Sequence, residues 1–123
     1  MAALLVVDDD ADVLEAVCAV LAGMGHSVER ASGGIAALDF LDRKSFDLLL
    51  TDVMMPGLHG FNLARMAVLR QPTIKVLYLT GYTEYTIERD EGQKFGKLLH
   101  KPLPPDALRQ EVEAALNSPQ RRH

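Results

Sequence analysis

Polar residues that could act together in catalysis follow four short apolar runs that lie far apart in the sequence. Asp8 and Asp9 come after the first run, and Asp52 ends a later one. Thr80 and Lys101 close two more. Apolar runs of this length, bounded by turn signals, predict buried strands, and parallel strands bring the residues at their carboxyl ends to one edge of a sheet. We therefore expect these five side chains to form one site.

The chemistry that fits such a site is phosphoryl transfer assisted by a divalent cation. Two carboxylates ~4 Å apart repel by about 4 kcal/mol at an effective dielectric constant of ~20, so protons or a cation must balance them. The available ligands are hard oxygens, which favours Mg²⁺ or Mn²⁺ over zinc. An ionised Asp52 could attack a phosphoryl group while Lys101 offsets the charge and the Thr80 hydroxyl donates a hydrogen bond. The product would be an aspartyl phosphate.

The apolar pattern also predicts the elements that would position these residues. Strands alternate with helices, which indicates an α/β fold, a doubly wound parallel sheet with helices on both faces. The predicted strands cover residues 3–7, 27–30, 48–52, 74–79 and 95–100, and the predicted helices cover 13–24, 35–41, 61–70 and 83–91, with a last helix that begins at Pro104-Pro105. The helix at 83–91 is expected to be marginal, because only Tyr85 and Ile87 could anchor it.

Length and composition exclude several classes of protein. The 123 residues, 48% of them hydrophobic, suit one domain, predicted at 1–118 with a disordered tail at 119–123. A net charge of -4 without a basic stripe argues against direct nucleic-acid binding. No apolar run reaches the ~20 residues that span a membrane and no signal peptide is evident, so a cytoplasmic location is expected. Cys18 is predicted to be a core residue.

The set of site residues resembles the receiver domain of two-component response regulators. The resemblance lies in Asp8-Asp9, in Asp52 within Asp-Val-Met-Met-Pro-Gly, in Thr80-Gly81 and in Lys101-Pro102. The spacings of 43, 28 and 21 residues between successive members also fit, and the likeness runs from residue 4 to residue 116. It implies a flavodoxin-like (βα)5 fold with strand order 2-1-3-4-5.

The resemblance also implies roles for individual residues. Asp52 would be the phosphoacceptor, Thr80 the switch hydroxyl and Lys101 the phosphate partner, followed by a cis proline. The Mg²⁺ ion would be held by Asp9, Asp52 and the backbone carbonyl of Met54, with Asp8 acting mainly through water.

The resemblance implies that this protein is a phosphorylation-controlled switch that turns over no external substrate. Its donor would be a sensor or hybrid histidine kinase or a phosphotransfer protein, and its downstream partner is unknown. It could be a stand-alone regulator, a relay intermediate or a receiver cut from a hybrid kinase. Leu98 stands where many receivers have an aromatic switch residue. We hypothesise that Met54 and Tyr82 slow self-dephosphorylation and that residues 83–92 respond to phosphorylation.

Two other functions and a structural interpretation compete with this prediction. An aspartate-nucleophile phosphatase would need a second Asp two residues after Asp52, where the chain has Met54. A flavodoxin-like cofactor binder would need a phosphate loop where three aspartates stand. Considered alone, Thr80 would be an ordinary strand residue and Lys101 an ordinary solvent-exposed lysine. Asp10 is predicted to start a helix and Asp47 to lie in a turn.

Overall fold

The computed structural model describes residues 1–81 and 94–120, which contain five β-strands and four α-helices. The strands are β1 (Ala3–Val7), β2 (Ser27–Ala31), β3 (Leu48–Thr51), β4 (Lys75–Thr80) and β5 (Gly96–His100). The helices are α1 (Ala11–Gly23), α2 (Gly34–Arg43), α3 (Gly60–Arg70) and α4 (Pro105–Leu116). All strands pair in parallel in the order β2-β1-β3-β4-β5, which confirms the predicted fold class and strand order.

The three central strands, β1, β3 and β4, are buried on both faces because they present mostly apolar side chains on both sides. In β1, Leu4 and Val6 pack in the core beneath α1 and α4, whereas Leu5 and Val7 pack in the core beneath α2 and α3. Adjacent residues of a strand point to opposite faces, so a continuous apolar run suits a strand covered on both sides. The register pairs Val7 of β1 with Thr51 of β3, so both strands end at the same level.

Two loops that follow strands at this edge turn directly into helices. Asp10 is the N-cap of α1, and its carboxylate accepts hydrogen bonds from the backbone N–H groups of Asp12 and Val13 at 3.0 and 3.3 Å. This confirms the prediction that Asp10 starts a helix. His59 is the N-cap of α3, and its Nδ1 accepts the backbone N–H of Phe61 at 3.3 Å. Both caps bind N–H groups that the first turn of a helix leaves without partners.

Polar side chains fasten the opposite edge of the sheet. The carboxylate of Asp47, just before β3, accepts the N–H of Ala3 at 2.7 Å. The ammonium of Lys75, at the start of β4, donates to the carbonyl and hydroxyl of Ser118 at 2.5 and 3.2 Å and to the carbonyl of Pro119 at 3.0 Å. Lys75 is buried, and its charge holds the two residues Ser118 and Pro119, which follow the carboxyl end of α4.

The side chain of Gln71 joins the end of α2 to the start of β3. Its amide nitrogen donates to the carbonyls of Leu41 and Lys44 at 2.9 and 2.7 Å, and its amide oxygen accepts the N–H of Phe46 at 2.8 Å. The two carbonyls lie at the carboxyl end of α2, where helix geometry leaves carbonyl groups without a partner in the helix.

Several predicted boundaries and one predicted core position need correction. β2 extends to Ala31, and β4 is shifted by one residue to Lys75–Thr80. Ile35 was expected on the apolar face of α2 but is 72% exposed, while Ala37 and Leu41 carry that face. The predicted helix at 83–91 lies outside the described residues. The domain bounds 1–118 and 119–123 stay predictions. Within the described part of the chain, no helix is both long and apolar enough to cross a membrane.

Candidate functional site

Asp52 lies directly after β3 and is held at the carboxyl edge of the sheet. Its backbone N–H donates to the carbonyl of Val7 at 2.9 Å, which continues the pairing of β3 with β1. One carboxylate oxygen, Oδ1, accepts the N–H of Val53 at 2.7 Å. The other, Oδ2, lies 3.3 Å from the Nζ atom of Lys101. The side chain is only 9% exposed, so few waters can stabilise its charge.

Asp8 and Lys101 complete the buried part of the site. The Oδ2 atom of Asp8 lies 2.9 Å from the ammonium of Lys101, and its Oδ1 atom accepts the N–H of Asp10 at 2.9 Å. Lys101 follows β5, and its backbone N–H donates to the carbonyl of Thr80 at 2.8 Å. The ammonium therefore bridges two carboxylates that come from β1 and β3. The Lys101–Pro102 peptide bond is cis, as the resemblance implies.

Asp9 adds a third carboxylate, which faces solvent. Asp8, Asp9 and Asp52 each offer one carboxylate oxygen, and these three atoms lie within 4.8 Å of one another. Asp9 is exposed whereas the other two are buried, so a cation could reach the group from the solvent side. The predicted convergence of these aspartates with Lys101 is thus seen in the structure.

The electrostatics of the site favour a positive charge beside Asp52. Burial raises the pKa of the Asp52 carboxyl, and the neighbouring charge of Asp8 raises it further, although Lys101 and the Val53 N–H partly oppose this. Burial alone would lower the pKa of the Lys101 amine, but its hydrogen bond to Asp8 and the charges of both aspartates outweigh burial and raise it. Lys101 therefore stays charged, and the carboxylates are still not fully compensated.

Thr80 lies beside Lys101, and Met54 follows Asp52 by two residues. Thr80 is the last residue of β4, is fully buried, and is joined to Lys101 by the backbone bond described above. The role of its hydroxyl stays a prediction. Met54 is 41% exposed, and its Sδ atom lies 3.1 Å from Nε2 of His59. The role of its carbonyl as a metal ligand also stays a prediction.

The remaining predictions near the site concern switching. Tyr82 and residues 83–92 lie outside the described part of the chain. Leu98 is half-buried in β5 and packs on a cluster that contains Phe61 and Tyr78, whose rings meet edge to face at 4.8 Å between centroids.

Two residues in the segment from β3 to α3 were not predicted from the sequence. Gly60 begins α3, and its N–H donates to the carbonyl of Val53 at 2.7 Å. The hydroxyl of Thr51 donates to the carbonyl of Asp52 at 2.9 Å. The sequence signal that could have indicated a close approach is the glycine directly before the predicted helix at 61–70, since a helix does not need glycine there.

Comparison with known families gives a match over most of the chain. A family model described as "Response regulator receiver domain" matches residues 4–113. The curated relative "Response regulator receiver protein CpdR" of Brucella abortus (strain 2308) is 32% identical over 117 residues, which cover 94% of this chain and 98% of that protein. "Sporulation initiation phosphotransferase F" of Bacillus subtilis (strain 168) is 29% identical over 115 residues, 92% of each chain. Some curated relatives are longer: the chain spans 26% of the length of "Transcriptional regulatory protein ZraR" of Escherichia coli (strain K12).

A solved structure gives the same result. The response regulator protein TrrA from Thermotoga maritima, in complex with Mg(2+)-BeF, superposes with a TM-score of 0.84 at 27% identity, covering 94% of this chain and 99% of that one. The matches give no support to the alternative of an aspartate-nucleophile phosphatase.

Proposed function

The chain belongs to the family of response regulator receiver domains, and we propose that Asp52 is the residue that accepts its phosphoryl group. Members of this family are phosphorylation-controlled switches of two-component signalling, and this chain is one of them. The observation that carries the assignment of Asp52 is its position: a buried carboxylate at the end of β3, beside Asp8 and Asp9 and 3.3 Å from the Lys101 ammonium.

The three aspartates fit a divalent metal site. Their oxygens lie close together and they are hard ligands. Burial, and after it the charge of Asp8, raises the pKa of Asp52, and a bound cation would oppose both effects. Asp9, Asp52 and the backbone carbonyl of Met54 would hold Mg²⁺, or Mn²⁺ in its place, with Asp8 acting mainly through water. When bound, the ion would supply positive charge beside the phosphoryl oxygens.

The residues of the chain then orient and balance the transfer. The Val53 N–H fixes the plane of the Asp52 carboxylate by binding Oδ1. An Asp52 oxygen attacks the phosphorus of a phosphohistidine, the new O–P bond forms, the P–N bond breaks, and the imidazole leaves with the electron pair. The Lys101 ammonium, already within reach of Asp52, lies where it can pair with the transferred phosphoryl group, and the Thr80 hydroxyl would donate to it.

The partners follow from this chemistry. The donor would be a sensor or hybrid histidine kinase or a phosphotransfer protein, and a downstream protein would read the phosphorylated form. We propose no direct nucleic-acid contact, no turnover of an external substrate and a cytoplasmic location. A stand-alone regulator, a relay intermediate and the receiver of a longer protein all remain compatible with this function.

Intact-mass spectrometry tests the proposed acceptor. The purified chain is incubated with acetyl phosphate in the presence of Mg²⁺ or of EDTA. We expect a single phosphoryl adduct with Mg²⁺, little adduct with EDTA, and none in Asp52→Asn. Asp47→Asn is the matched control, since Asp47 lies at the opposite edge of the sheet, and it should accept the group normally. An adduct that persists in Asp52→Asn would contradict the assignment.

A further inference from the structure

We propose that Gly60 is a positioning residue that holds the Asp52 carboxylate in its reactive orientation. This inference rests on the proposed function, because it concerns the geometry of the phosphoacceptor. Gly60 begins α3 and contacts neither Lys101 nor the three oxygens of the candidate metal site in any interaction described above. It acts through the backbone of Asp52 and Val53.

The space beside Gly60 is too small for a side chain. A Cβ atom at this position would lie 2.0 Å from the backbone oxygen of Asp52 and 2.8 Å from the Cα atom of Val53. Both atoms belong to the backbone, so no side-chain rotation could relieve the overlap. Gly60 has a helical conformation that any L-residue could adopt, in contrast to Gly57, whose φ is 84°. Close approach, and not backbone conformation, therefore requires the glycine.

Two successive backbone N–H donors link Gly60 to the Asp52 carboxylate. The N–H of Gly60 donates to the Val53 carbonyl at 2.7 Å, and the N–H of Val53 donates to Asp52 Oδ1 at 2.7 Å. The Asp52 carbonyl, against which Gly60 packs, also accepts the Thr51 hydroxyl at 2.9 Å. The backbone that orients the carboxylate is thus fixed by contacts on both sides. A shift of this backbone would move Oδ1 and Oδ2 together.

Helix α3 is packed too tightly to move away from the Asp52 backbone. Phe61 and Leu63, in its first turn, are 1% and 0% exposed. The Phe61 ring packs against the Tyr78 ring of β4, and His59 caps the helix. Interiors packed to this density resist displacement, so an added methyl group at Gly60 would push the Asp52 backbone instead of the helix.

The size of the effect follows from the overlap. Ordinary non-bonded contacts of a Cβ atom begin above 3.0 Å, so the distance of 2.0 Å must grow by about 1 Å. A misplacement of about 1 Å in a reacting group costs up to about 100-fold in rate. We expect Gly60→Ala to lower the maximal rate of Asp52 phosphorylation by 10- to 100-fold.

The experiment compares Gly60→Ala with Gly23→Ala. Gly23 is the last residue of α1, and a Cβ atom at this position would meet nothing within 4 Å apart from its own helix and chain neighbours. Phosphorylation by acetyl phosphate with Mg²⁺ is followed by intact mass at several donor concentrations, under conditions in which circular dichroism shows each variant to be folded. Gly60→Ala should lose maximal rate with little change in the half-saturating donor concentration, and Gly23→Ala should stay within threefold of the unmodified chain.

Each outcome decides between the two claims. A folded Gly60→Ala that reacts within threefold of the unmodified chain overturns the positioning role and leaves Asp52 as acceptor. An unmodified chain that takes up no phosphoryl group overturns both. If Gly60→Ala does not fold, Thr51→Val takes its place, since it removes the other contact to the same carbonyl. A loss of threefold or more supports the proposal, and an unchanged rate overturns it.

Discussion

Replacing Asp52 with asparagine should make the metal-free protein more stable. The substitution removes one buried negative charge and keeps the shape of the side chain. The asparagine oxygen can still accept the Val53 N–H that now binds Oδ1. The ammonium of Lys101 keeps its 2.9 Å contact with Asp8. The change therefore isolates the electrostatic cost of holding the acceptor in its charged form.

The magnitude can be worked from the distances in the site. Asp8 and Asp52 oxygens within 4.8 Å repel by about 3.5 kcal/mol at an effective dielectric constant of ~20. Lys101, at 3.3 Å from Asp52, attracts it by about 5 kcal/mol on the same scale. The net attraction of about 1.5 kcal/mol is smaller than the desolvation cost of the carboxylate, which is several kcal/mol for a buried ion, so burial decides the sign. We expect a gain of about 1–2 kcal/mol in the free energy of unfolding.

The gain should depend on pH in a defined direction. The pKa of Asp52 in the folded protein is raised above its ordinary value of 3.8, so the folded state binds the proton more tightly than the unfolded state. The penalty from ionised Asp52 is therefore absent below pH 3.8 and grows as the pH rises through the folded pKa. The difference between Asp52→Asn and the unmodified chain should be larger at neutral pH than in acid and should disappear as the pH falls towards 3.8.

Urea denaturation followed by far-UV circular dichroism, in EDTA at pH 7 and pH 4, measures this difference. Asp106→Asn is the control, because Asp106 is an exposed residue of α4 whose ion pair with Arg109 should matter little. An Asp52→Asn variant that is 1 kcal/mol or more less stable at pH 7 would refute the reasoning. It would show that the attraction of Lys101 exceeds burial and repulsion combined.

Three further predictions concern the parts of the molecule that support the site. Lys75→Met should lower the free energy of unfolding by about 2 kcal/mol, because three oxygens just after α4 lose a charged donor. Lys97→Met, which removes an exposed ion pair, should change it by less than about 0.5 kcal/mol. Urea denaturation measures both variants, and equal losses would contradict the role of Lys75. Gln71→Ala should cost about 2–3 kcal/mol by thermal or urea unfolding, because three backbone groups lose their partner; a loss below 0.5 kcal/mol would contradict this. Cys18 should resist a thiol reagent such as dithionitrobenzoate until the protein unfolds, since it is only 1% exposed. Burial also raises the pKa of its thiol, and the charge of Arg30 opposes this only in part. Rapid labelling of the native chain would contradict this prediction and show that the core around Cys18 opens.

The parts of the fold that could be predicted are those that strand and helix periodicity determines. The continuous apolar runs of β1 and β3 indicate strands covered on both faces, and the residues that end these runs must then share an edge. The sequence pattern therefore predicts that Asp8, Asp9, Asp52 and Lys101 lie together, as the structure shows. The resemblance added the strand order and the cis bond before Pro102.

The parts that could not be predicted depend on packing between elements distant in sequence. Ile35 fits the apolar stripe of α2 by spacing, but it lies in the first turn on the outer side, where no element covers it among the described residues. Lys75 occupies a position in β4 that would suit an apolar residue, and its partners lie over 40 residues away. The contact of Gly60 with the Asp52 carbonyl likewise depends on how α3 docks, which periodicity does not specify.

The most direct test of the site is the chemical identification of the phosphorylated residue. The chain is phosphorylated by acetyl phosphate with Mg²⁺ and reduced at once with borohydride, which converts an aspartyl phosphate into homoserine, and the peptides are sequenced by mass spectrometry. The account predicts homoserine at position 52. Homoserine at Asp8 or Asp9, or an intact Asp52 in a chain that has gained a phosphoryl group, would contradict it.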